Sequence, residues 1–273
     1  MKWKCVILFF LSVGVCGFSE ILVQEHFATN SNTKDSVPGW TPVQKLKDSN
    51  SIGESSELLT GGLSYGALSG IDLLKSRAED GYVYNDNPVG NNRFSKLLNS
   101  PVSVPEGSIL YFGALVKGAK RANFGLGTFD GGSFPAQLIS IGINPQILDA
   151  NANYPQKFSA SVWKGNPNST GLNNGVGVEI SQAWENEHLI IGRLVNNPGA
   201  TDEISYHVID VNSWMSVPGE WVGEKLPWAA GFYSRTDFDF GENPVFTHLL
   251  INLQNHSGLD EIYFSTQYTD IIQ

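Results

Sequence analysis

The chain has 273 residues and a formal charge of −10, with 16% charged residues, 29 glycines and 13 prolines. An acidic balance of this size argues against nucleic acid and anionic lipid as electrostatic partners. The length is ample for a core that needs no covalent staples, and the Gly- and Asn-rich composition points to many turns rather than many helices.

The chain opens with a leader pattern. Lys2 and Lys4 precede an apolar run from Val6 to Val15, and Val15, Gly17 and Ser19 are compatible with cleavage after Gly17 or after Ser19. Residues 1–19 therefore read as a secretory signal peptide, and the run is too short to cross a bilayer. Cys16 raises a lipoprotein alternative, but Val15 is bulky where that processing wants Gly, Ala or Ser. Both cysteines, Cys5 and Cys16, lie in this leader. The expected mature chain thus has no disulfide and no cysteine-type zinc site. No later apolar segment is long enough to span a membrane, so the expected location is secreted or periplasmic. Residues 20–273 are expected to form a single domain.

Residues 21–27 make a first strand, with Ile21, Val23, Glu25 and Phe27 sharing a face by the period of two. Residues 29–40 are polar, with a turn at Pro38-Gly39. Residues 58–74 are Gly-rich and apolar, with short strands around Leu63-Ser64-Tyr65. Residues 78–93 read as an Asn/Asp/Gly loop. Residues 108–117 are apolar on both faces, as a central strand requires. Residues 124–144 read as a hairpin turning at Asp130-Gly131-Gly132-Ser133. Further strands are expected near 158–163, at 175–180, 188–194 and 203–211. A long segment, 212–228, carries three tryptophans, and strands at 247–253 and 262–268 close the domain. The last reads as half-buried, with Ile262, Phe264, Thr266 and Tyr268 on one side. Many short strands with Gly/Pro turns, and no sustained 3.6-residue stripe, predict an all-β, two-sheet sandwich.

Several blocks, in order, resemble the concanavalin A-like (LamG-like) jelly-roll domains of exported bacterial proteins of the Verrucomicrobia, Planctomycetes and Lentisphaerae type. They are Glu25-His26-Phe27, Gly62-Leu63-Ser64-Tyr65, the stretch from Phe124 to Ser133, Leu189 to Leu194 with Thr201 to Ser205, and Leu259 to Ser265. The resemblance spans nearly the whole expected mature chain. It implies a two-sheet jelly roll of a superfamily that holds lectins, laminarin-degrading glucanases and adhesion modules. Relatives often carry a PEP-CTERM sorting tail; the sequence ending at Gln273 shows none, so free secretion or periplasmic residence is the expectation.

Glycoside hydrolysis needs two carboxyl groups about 5–10 Å apart. The Glu-x-Asp-x-x-Glu pattern of laminarinase-like relatives is missing. The nearest is Asp237-Phe238-Asp239-Phe240-Gly241-Glu242, in which Asp237 and Asp239 would share a strand face roughly 7 Å apart. They could form a carboxylate or calcium pair, but a solvated strand face with Phe238 and Phe240 in the core weighs more. Calcium would suit the loops Asn85-Asp86-Asn87 and Asn166-Pro167-Asn168, yet neither has a defined calcium-loop spacing and turn formation explains both. No cofactor is called for. Asp202 and Asp260 each read as the start of a strand. His26, His188, His207, His248 and His256 show no metal spacing and read mostly as exposed. No G-x-S-x-G elbow occurs, and Gly125, Gly127, Gly175 and Gly177 lack the following helix of a phosphate site.

Trp214, Trp221 and Trp228 recur every seven residues in a segment broken by Pro218-Gly219 and Pro227. Aromatic faces stack on sugar C–H groups, so these indoles, with Asp237 and Asp239, are the candidate carbohydrate-binding residues; burial in the core is the competing role. Trp40 and Trp163 read as core. The sequence thus favours an exported, non-catalytic binding or surface-interaction module directed at a glycan. Its rivals are a polysaccharide hydrolase or lyase and a structural cell-envelope protein with no small ligand.

Overall fold

The structure is a computed structural model that describes residues 20–25, 27, 33–34, 41–42, 56–60, 81–85, 91–118, 121–129, 135–145, 156–164, 178–179, 187–210, 232–254 and 257–271. In chain order the strands are β1 (Ile21–Glu25), β2 (Thr33–Lys34), β3 (Thr41–Pro42), β4 (Ser56–Thr60), β5 (Gly81–Asn85), β6 (Asn91–Ser103), β7 (Ile109–Lys117) and β8 (Arg121–Phe129). They continue as β9 (Pro135–Pro145), β10 (Gln156–Lys164), β11 (Val178–Glu179), β12 (Glu187–Val195), β13 (Asp202–Asp210), β14 (Phe232–Phe238), β15 (Val245–Gln254) and β16 (Ser257–Ser265). A 3-10 turn, Tyr268–Asp270, follows.

These strands form a two-sheet antiparallel jelly-roll sandwich. A nine-stranded sheet runs β14-β13-β12-β7-β16-β5-β4-β2, with β1 also paired to β16; a seven-stranded sheet runs β11-β10-β9-β8-β15-β6-β3. β7 is central because it is apolar on both faces: Leu110, Phe112, Ala114 and Val116 enter the core, and Gly113 and Leu115 are buried on the other side. The 124–144 hairpin is the β8–β9 pair, with Ile139, Ile141 and Ile143 in the core; its turn lies outside the described residues. Phe112 and Phe264 from one sheet meet Phe124 from the other, with ring centroids 6.0–6.2 Å apart. Tilted and edge contacts of this kind add to the area that each ring buries. Phe112 also explains Gly192 on the neighbouring β12: a Cβ there would stand 2.5 Å from the Phe112 ring and 2.4 Å from the Ser205 carbonyl.

Polar ties close the rims. The Glu25 carboxylate on β1 takes the Lys96 ammonium of β6, bridging the two sheets, and accepts the Phe27 N–H at 3.1 Å. Asp202, 1% exposed, accepts the N–H groups of Asn197 at 3.1 Å and Phe240 at 2.7 Å. The amide of buried Asn196 donates to the carbonyls of Val104 at 2.7 Å and Gly241 at 3.1 Å. Buried polar groups need such partners.

Four sequence expectations are corrected. Residues 78–93 are not all loop: they contain β5 and the start of β6, because Tyr82-Val83-Tyr84 and Phe94 carry enough apolar surface to pair. Asp260 lies inside β16 rather than at its start, although Asp202 does open β13. β16 is buried along its whole length, not half-buried. Its register shifts between Asp260 and Tyr263 at a bulge where Glu261 takes φ +50. Lastly, His188 and His207 are 5% and 4% exposed, on strands hydrogen-bonded on both sides, rather than solvent-facing. The leader, the strands expected near 63–65, Gly175, Gly177, Trp40, Trp214, Trp221, Trp228, Asn87 and 166–168 lie outside the described residues.

Candidate functional site

Strand alternation sorts β6, β15, β8, β9 and β10 into two sets. Phe94, Leu249, Ile251, Phe124, Ile141 and Ala160 belong to the core. The residues between them take the outward face of the seven-stranded sheet. Backbone register aligns that set into three rows. One is Leu97, His248, Gly127, Leu138 and Trp163; the next is Ser95, Leu250, Gly125, Ser140 and Ser161; the third is Arg93, Asn252, Asn123, Gly142 and Ser159. Five strands at about 4.8 Å spacing span roughly 19 Å, with rows about 7 Å apart.

The middle of this face is low because glycine occupies it. A Cβ at Gly125 would lie 1.7 Å from the Ile139 carbonyl oxygen. Leu97 is 68% exposed, while Leu250, Ser140, His248 and Asn252 are half-buried around that floor. The Asn123 amide donates to Ser140 Oγ at 3.4 Å. The His248 ring meets Phe129 edge-on at 4.7 Å, and its Nδ1 shares a 2.8 Å hydrogen bond with Thr247 Oγ1. Burial lowers the His248 pKa, so the ring is neutral at neutral pH. Asn252 Oδ1 is a buried acceptor with no donor among the described residues, a state that costs about 1–3 kcal/mol. Amides, hydroxyls, an imidazole and apolar side chains thus lie together, and β6, β8, β9, β10 and β15 contain no Asp or Glu.

On the outward face of the nine-stranded sheet Leu115, Leu189, Ile191, Ser205, His207 and Asp260 are buried, as Ser95 (8% exposed) and Asn123 (2% exposed) are on the other sheet. Ion pairs on the nine-stranded sheet join Arg193 with Glu203 at 3.4 Å and Lys117 with Glu187 at 3.7 Å. Tyr82 stacks edge-on with Tyr84 at 6.0 Å, and burial raises its pKa. Tyr111 lies 5.8 Å from Tyr268, whose hydroxyl pKa is pushed up by burial and by Tyr111.

Of the predicted site residues, Asp237 and Asp239 lie within the described residues, and Trp214, Trp221 and Trp228 lie outside them. Asp237, in β14, and Asp239, just past it, are exposed, while Phe238 and Phe240 are buried with ring centroids 5.3 Å apart. Asp239 accepts the Gly241 N–H at 2.5 Å. Both aspartates belong to the edge of the nine-stranded sheet, away from the three rows. Among the described residues no group of three or more His, Cys, Asp or Glu gathers to hold a metal ion. Sequence reading missed Ser95, Asn123, Ser140, His248 and Asn252. The available signal was a set of strand segments in which polar neutral residues and glycine alternate with core residues and carboxylates are missing.

No protein-family model and no curated protein matches the chain. Among solved structures it is similar to the T. cruzi calreticulin globular domain, with 13% identity and a TM-score of 0.48 over 92% of this chain and 90% of that one. It is also similar to the carbohydrate recognition domain of Emp46p in its metal-free form, with 12% identity and a TM-score of 0.38 over 72% and 85%. A third similarity is to an endo-beta-1,4-glucuronan lyase from the fungus Trichoderma reesei, with 9% identity and a TM-score of 0.36 over 93% and 98%.

Proposed function

We propose that the protein is an exported, non-catalytic glycan-binding module of the LamG-like bacterial type, and that the outward face of its seven-stranded sheet receives the sugar chain. The observation that carries this reading is the carboxylate-free composition, rich in amides and hydroxyls, of β6, β8, β9, β10 and β15 over a glycine floor. Sugar hydroxyls pair with the half-buried Ser140, His248 and Asn252 side chains, while C–H faces rest on Leu97, Leu250 and the Phe129–His248 pair. Trp214, Trp221 and Trp228 are proposed to contribute aromatic faces to sugar binding.

A glycan array followed by calorimetry on β-glucans, alginates and sulfated polysaccharides tests the reading. Binding is expected, with roughly tenfold weakening for His248→Ala and Asn252→Ala, the loss of about one good contact each. Weakening by Trp214→Ala, Trp221→Ala or Trp228→Ala would support the loop's part. If no glycan binds, the module reading fails. If reducing or unsaturated sugars are released, and Asp237→Asn or Asp239→Asn stops it, the rival hydrolase or lyase reading replaces it.

A further inference from the structure

The two ends of the described chain meet beside β16. β1 pairs with β16, with Ile21 opposite Ser265, so Glu20 lies next to the residues that follow β16. The Glu20 carbonyl accepts the Thr266 N–H at 3.2 Å and the Ser265 hydroxyl at 3.0 Å. That hydroxyl also donates to the Asp270 carboxylate and accepts the Gln267 N–H at 3.0 Å. Ser265 is 0% exposed, and Ile271, which ends the 3-10 turn, is 0% exposed as well. A single buried hydroxyl thus ties the backbone before β1 to the carboxylate of the closing turn.

The hydroxyl has one proton for two acceptors, the Glu20 carbonyl and the Asp270 carboxylate. A neighbouring group with a positive charge and several donors suits a carboxylate so placed. The Glu20 nitrogen is within reach of this place, since one residue spans at most about 3.6 Å. Inside a longer chain that nitrogen is an amide with one N–H and no charge. As a chain terminus it is an ammonium. Two cleavage positions fit the leader pattern, after Gly17 and after Ser19. The first leaves Phe18 and Ser19 attached and sets the ammonium roughly 7 Å further along an extended chain. The second sets it on Glu20.

We infer that the leader is cut between Ser19 and Glu20, and that the Glu20 α-ammonium then pairs with Asp270, fastening β1 to the closing turn. The bond broken is the Ser19–Glu20 peptide; water adds across it, leaving a carboxylate on Ser19 and the ammonium on Glu20. The inference rests on the leader reading of residues 1–19 and is independent of the glycan reading. Among the described residues, the titratable groups around this terminus are Asp270, Tyr268, Tyr111 and the exposed Glu20 carboxylate. Burial pushes up the Tyr268 hydroxyl, which stays neutral while the ammonium titrates. An ordinary α-amino group titrates near about 7.7–8.0. Pairing with Asp270 raises that value in the folded chain, so its stabilisation is complete below about pH 7.7 and is lost as pH rises through the raised value.

Intact-mass measurement and N-terminal sequencing test the position, on the full chain expressed with its leader in an exporting host. Glu20 is expected as the first residue. Any other first residue, Cys16 or Phe18 included, overturns the inference; a chain that is not processed at all removes the leader reading with it. Thermal unfolding of the same product tests the pair. Asp270→Asn keeps an acceptor for Ser265 and removes the charge, so it should lower the midpoint by roughly 1–3 °C at about pH 6.5. The difference should close by about pH 10, where the ammonium has lost its proton. A difference that does not change with pH, or no difference at the lower pH, overturns the pair. The wild type gives a second readout that needs no variant: NMR titration of the Glu20 α-amine is expected to report a pKa above about 8.0. A value at or below the ordinary one overturns the pair.

Discussion

Asp202 shows how one carboxylate can be architectural. It opens β13, yet its oxygens satisfy the N–H groups of Asn197 and Phe240, one from the β12–β13 turn and one from the segment beyond β14. Asp202→Ala leaves both donors without that acceptor and should cost about 2–3 kcal/mol in urea unfolding. Asp237→Ala, on an exposed side chain, should cost less than Asp202→Ala in the same measurement. His207 makes a second residue-scale prediction. Burial lowers its pKa to about 4 from an ordinary 6.5. On acidification the unfolded imidazole takes its proton first, so stability falls as pH drops from about 6.5 to about 4 and the loss levels off below that. The difference in unfolding free energy between the wild type and His207→Gln should therefore shrink by up to roughly 3 kcal/mol across that window. A flat difference would show that the folded and unfolded imidazoles titrate alike.

At the scale of elements, the β8–β9 hairpin combines fold and site. Its apolar positions, Phe124, Leu126, Ile139 and Ile141, build the core, and the alternate positions, Asn123, Gly125, Gly127 and Ser140, build the outward face. Gly125→Ala would press a methyl group into the Ile139 carbonyl and force the strands apart. It should lower stability by about 1–3 kcal/mol and weaken glycan binding as the rows shift; thermal unfolding and calorimetry measure the two effects. Unchanged stability would mean that the strands are not held so closely. This hairpin was legible in sequence because a turn signal separates two alternating runs. β6 was not, because Asn91, Asn92, Asn99 and Ser100 look like loop residues and its pairing with β15 comes from a partner far along the chain. The β16 bulge was also hidden: Asp260-Glu261 reads as a polar strand start, whereas the register shift follows from pairing with β7.

For the whole molecule, the sandwich class could be read from short strands and the missing helical stripe, since both are local. The candidate face could not. Ser95, Leu250, Gly125, Ser140 and Ser161 are scattered over five strands and meet only once strand order and register are known. The sequence drew attention instead to Asp237 and Asp239, conspicuous as a close carboxylate pair, which belong to an exposed edge.

The central claim is that the outward face of the seven-stranded sheet is the one that meets sugar. Amide chemical-shift mapping during titration with the best-binding glycan addresses it directly. Shifts are expected to concentrate at Ser95, Asn123, Ser140, His248 and Asn252, with little change at Leu115, Ile191 or Asp260. Shifts confined to the nine-stranded sheet, or to the Asp237–Asp239 edge, would contradict it.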